Sequence, residues 1–144
     1  MRGVIRWFRN AGVYLLFVLV FWLVYLLAGV AIYVLNHGFD GIRTGIAAPF
    51  ATVLGGIIGV NVGVGMLDRY FEPYPARTFA VVFIVFTALY FALSTYGRWV
   101  VEGSLDFKDF TAGLGLGAAS ITSWIMLWKR GVEAARLARA AAST

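Results

Sequence analysis

Few side chains in this sequence have both the type and the spacing that chemistry demands. His37 is the single histidine and there is no cysteine. Metal or haem ligation needs several converging donors, and none accompanies His37. Without cysteine, disulfides, thiolate metal sites and thiol nucleophiles are excluded. Ser120, Thr122 and Ser123 form a hydroxyl cluster, but no base is spaced to activate them. Hydroxyls in a helix satisfy themselves against carbonyls one turn back. Glu102, Asp106 and Asp109 gather three acids that would suit a hard cation only weakly, and a solvated loop is the ordinary explanation for them. No phosphate-cradling glycine motif is present. Asn61 is the one amide well inside an apolar run; with Ser120 as companion, it is expected either to bond a neighbouring helix or to touch a solute pathway. The expectation is no catalytic site, no cofactor and no metal.

The elements that must carry these residues are apolar helices. Of 144 residues, 61% are hydrophobic and 13% charged, with a mean hydropathy of +0.84. Soluble domains average about 45–50% apolar and about 25% charged, and a small domain cannot hide the excess. Charged residues divide the chain into four apolar segments, about 11–35, 44–67, 78–97 and 110–128, flanked by basic tails 1–9 and 129–144. A helix needs roughly 20 residues to cross about 30 Å of hydrocarbon, so all four qualify. None alternates as a barrel strand would. The predicted fold is an all-α integral membrane protein, a four-transmembrane-helix bundle in one domain, with two tandem helical hairpins as a possible origin.

Orientation follows from Lys and Arg. Arg2, Arg6, Arg9, Arg69, Arg77, Lys129, Arg130, Arg136 and Arg139 fall on one side, and Arg43, Arg98 and Lys108 on the other. That bias puts both termini and the middle loop in the cytoplasm and the chain in the cytoplasmic membrane. Arg2, Arg6 and Arg9 recur at helical spacing as an interfacial lead-in. Together with Lys129, Arg130, Arg136 and Arg139, they are expected at lipid headgroups. The net charge of +5 is thereby explained by topology, and nucleic acid is not an expected partner because no groove-reading or stacking motif occurs.

Small residues mark the packing surfaces. Gly55, Gly59 and Gly63 repeat every four residues in the second segment, with Gly56 and Gly65 close by, and Gly113 and Gly117 repeat the spacing in the fourth. Such spacing lets helices approach closely. The third segment sets Phe79, Phe83, Phe86 and Tyr90 on one face, a stripe expected in core or lipid contact. Both halves share a plan of aromatic-rich helix, outer loop with Phe39-Asp40 or Leu105-Asp106, and small-residue helix. Parallel repeats related by an axis along the membrane normal would look like this.

Two functions from different classes fit. One is a non-catalytic accessory or assembly subunit that packs against other membrane proteins. The other is a small channel or passive pore built from copies of this chain. Membrane lipid is an expected partner under both.

Overall fold

The computed structural model describes residues 1–36 and 44–143, with side chains described outside 32–34, 36, 44–48 and 107–109. His37, Phe39, Asp40 and Arg43 therefore lie outside the described residues, as do the side chains of Lys108 and Asp109. Four helices follow one another: α1 (Arg2–Asn36), α2 (Thr44–Tyr70), α3 (Ala76–Glu102) and α4 (Phe107–Ala142). No strand occurs among the described residues. All four helices are long and apolar enough to cross a membrane.

The helices overrun the apolar segments that announce them. The basic lead-in is not a separate element, because α1 runs unbroken for 35 residues, about 52 Å at the usual rise. The Ala- and Arg-rich tail likewise continues α4 to 36 residues. Charged residues end an apolar run, but Arg, Ala and Lys are good helix formers, so nothing there ends the helix. What ends α3 is Gly103, whose φ of 68° is left-handed and whose N–H donates to Trp99 O. Glycine takes that conformation at least cost.

The contacts set the order of helices around the bundle. α1 packs on α2, α2 on α4, and α4 on α3; large aromatic side chains close the ring between α1 and α3. Tyr14 meets Phe79 at 5.3 Å between ring centroids, Phe17 and Phe21 meet Phe83 at 5.4 and 5.0 Å, and Trp22 meets Tyr90 at 5.3 Å. These edge-on pairs each add about 0.5–1.5 kcal/mol beyond the area they bury. α1 thus lies diagonal to α4 and α2 diagonal to α3. The two hairpins stand side by side with like helices as neighbours, α1 by α3 and α2 by α4. An axis through the bundle centre would have put like helices on the diagonals instead.

The core is a column of large side chains. Phe17, Phe21, Val60, Val64, Leu67, Phe83, Leu116, Ala119 and Leu127 are buried together. The outward faces are equally apolar: Leu19, Leu23, Leu26 and Leu27 on α1, and Val85, Phe86, Leu89 and Leu93 on α3, are all exposed.

Candidate functional site

Three places carry what specificity the bundle has: the glycine seams, a polar clasp at one end, and the hydroxyl and amide groups along the helices.

In the first seam, Gly59 faces Phe21 and Gly63 faces Phe17. The α1 partner falls by four residues as the α2 glycine rises by four, which is antiparallel packing at one face per turn. A Cβ on Gly59 would stand 3.0 Å from the Phe21 ring, and one on Gly63 would stand 2.7 Å from the Phe17 ring. Gly55 differs, since its nearest neighbours, Ala28 Cβ and Tyr25 O, lie at ordinary contact of 3.4 and 3.5 Å.

The tightest approach lies in the second seam, between α2 and α4. A Cβ on Gly56 would fall on the carbonyl oxygen of Gly115, and one on Gly115 would sit 2.7 Å from Thr52 O and 2.8 Å from the Tyr25 hydroxyl. Thr52 Oγ1 lies 3.0 Å from Thr111 O across the same crossing and 2.9 Å from Pro49 O in its own helix. Gly113 faces the Phe91 ring of α3. Gly117 is exposed, with nothing within 4 Å of where a Cβ would stand. The four-residue spacing singled out Gly113 and Gly117, whereas the α4 glycine against α2 is Gly115. The buried ridge of α4 runs through Leu116, Ala119, Ser123 and Leu127. At 100° per residue, Gly115 falls on the α2 flank of that ridge and Gly117 turns past it to the outside.

The clasp gathers at the end of the bundle that carries both termini and the α2–α3 loop. Tyr74 donates its hydroxyl to Asp68 Oδ1 at 2.6 Å, and Arg130 of α4 forms an ion pair with Asp68 of α2. Arg9 of α1 donates to Pro73 O at 2.8 Å. Arg77 of α3 places its guanidinium 4.8 Å over the Trp128 ring of α4, a cation–π contact. All four helices are tied through these groups. Burial pushes the Tyr74 phenol up from its ordinary value, and the hydrogen bond and charge of Asp68 push it the same way. Beside the clasp, open grooves are lined by Arg6, Arg9, Asn10, Pro73, Tyr74 and Pro75, and by Arg2, Ile5, Arg6 and Arg9. Arg2, Arg6, Lys129, Arg136 and Arg139 are exposed at this end.

The polar groups along the helices separate. Thr87 is buried on α3, with Oγ1 2.9 Å from Phe83 O and 2.8 Å from Ser120 Oγ of α4. Either hydroxyl can donate in the Thr87–Ser120 bond, which joins α3 to α4 across their interface. Thr122 and Ser123 donate within α4, to Ala118 O and Ser120 O. Asn61 stands apart from both: it is exposed on the outer side of α2, and Nδ2 donates to Ile57 O at 2.8 Å. The aromatic stripe of α3 also divides, with Phe79 and Phe83 buried against α1 and Phe86 and Tyr90 mostly exposed. Among the described residues, no three histidine or acidic side chains converge on a metal-sized site. No protein-family model, curated protein or solved structure matches this chain.

Proposed function

We propose that this chain is an integral protein of the cytoplasmic membrane, with both termini and the α2–α3 loop in the cytoplasm. Its role is that of a non-catalytic accessory or assembly subunit that packs against other membrane proteins. The membrane placement draws support from the outward faces: soluble monomers rarely expose contiguous apolar patches beyond a few hundred Å², while here whole helix faces of Leu, Val and Phe are bare. The orientation rests on the basic residues, which favour the cytoplasmic side.

The observation that carries the subunit reading is how the interior is filled. Phe17, Phe21 and Phe83 meet at the bundle centre with no exposure above 1%, so the polar groups have no shared path through one copy. Thr87 and Ser120 answer each other, and Asn61 is on the outside. Chemistry is spent on holding helices together, which suits a protein whose product is an assembly.

A liposome flux assay on the purified chain tests this against the pore built from several copies. No flux of monovalent ions or small neutral solutes above empty liposomes is expected. Flux that scales with protein density and disappears in Asn61→Leu would overturn the subunit reading.

A further inference from the structure

We propose that two copies of this chain pair in the membrane through the outer face of α2, with Asn61 of each copy bonded to Asn61 of the other. The inference rests on the membrane placement proposed above and goes beyond the subunit role. α2 spends two sides on its own bundle, one on α1 through Gly59 and Gly63 and one on α4 through Gly56. The remaining side carries Ile58, Asn61, Val62 and Gly65, all exposed. Within a span that otherwise meets hydrocarbon, an amide is the costly member of that set.

Asn61 offers two amide hydrogens and one oxygen. Its bond to Ile57 O takes one hydrogen and leaves the other hydrogen and the oxygen for a partner. A second copy inserted the same way round supplies the matching groups at the matching depth. A two-fold axis along the membrane normal sets each residue opposite itself, so each Asn61 donates once and accepts once. Buried asparagine pairs fix register between parallel helices in the same manner. Gly65 lies one turn further along, with nothing within 4 Å of where its Cβ would be, so the partner helix can come close enough for the amides to meet. A partner of different sequence would need an amide or hydroxyl at that one depth, whereas a second copy has it by symmetry.

The chain has no cysteine, so one introduced cysteine reports one position. Membranes holding Ile58→Cys, Leu19→Cys or Leu89→Cys are washed with alkaline carbonate, which reveals a chain that never integrated before any cross-link is scored. Copper–phenanthroline oxidation should then give a disulfide-linked dimer for Ile58→Cys and little for Leu19→Cys on α1 or Leu89→Cys on α3. Adding Asn61→Leu should lower the dimer yield about tenfold, as loss of about 1–2 kcal/mol implies. Gly65→Ile should do the same by holding the helices apart, without touching the amide. Equal cross-linking at all three cysteines would overturn the pairing. So would an Ile58→Cys product joined to a different polypeptide, or full dimer yield in either Asn61→Leu or Gly65→Ile.

Discussion

Two adjacent glycines of α2 have opposite requirements, although their residue type is the same. Gly55 has room for a methyl group and Gly56 has the Gly115 carbonyl in the way. Gly55→Ala should therefore stabilise the bundle by up to about 1 kcal/mol, the helix-propensity difference. Gly56→Ala should destabilise it by about 1–3 kcal/mol, the usual cost of overpacking. Thermal unfolding followed by circular dichroism in one mild detergent reads both, and the same sign for the two variants would contradict the crossing described. The sequence shows that α2 is a packing helix, since the four-residue repeat of Gly55, Gly59 and Gly63 is plain. It does not show which glycine is tightest, because Gly56 matters only once α4 supplies Gly115 opposite it. Asn61 was legible as unusual, but its outward position depends on which sides of α2 the other helices occupy.

At the scale of elements, the four helices were readable from where charge interrupts the apolar runs, and the helical tail of α4 from its Ala- and Arg-rich composition; the fusion of the basic lead-in with α1 was not. Arg2 to Arg9 and Lys129 to Ala142 lie beyond the apolar segments yet stay helical, because polarity limits what a bilayer accepts rather than what a helix accepts. The α2–α3 loop carried a visible turn signal in Pro73 and Pro75. The clasp it forms was invisible, since Asp68, Tyr74 and Arg130 converge only when α2 and α4 are neighbours. Tyr74 offers a test of that clasp. Its phenol titrates above the ordinary value near 10, so the folded state favours the protonated form. The stability this contributes is fully present below about pH 10 and declines as pH rises through the higher folded-state value. Tyr74→Phe should lower stability by about 1 kcal/mol at neutral pH, and the gap from the parent should narrow above pH 10. Unfolding midpoints for both proteins across alkaline pH measure the gap, and a gap that widens would contradict the hydrogen bond to Asp68.

For the whole molecule, composition and spacing made the class of fold legible, and the ring order of the helices was not. Phe17, Phe21 and Phe83 join α1 to α3 across the bundle, and no periodicity within one helix announces a partner two elements away. That closure also supports the proposed function, because aromatic rings fill the centre of a single copy and leave its apolar outer faces to meet lipid or another membrane protein. Native mass spectrometry of the protein released gently from its own membrane tests this most directly. The account predicts ions in which this chain is bound to other polypeptides. Ions containing only this chain and lipid, at any copy number, would contradict it.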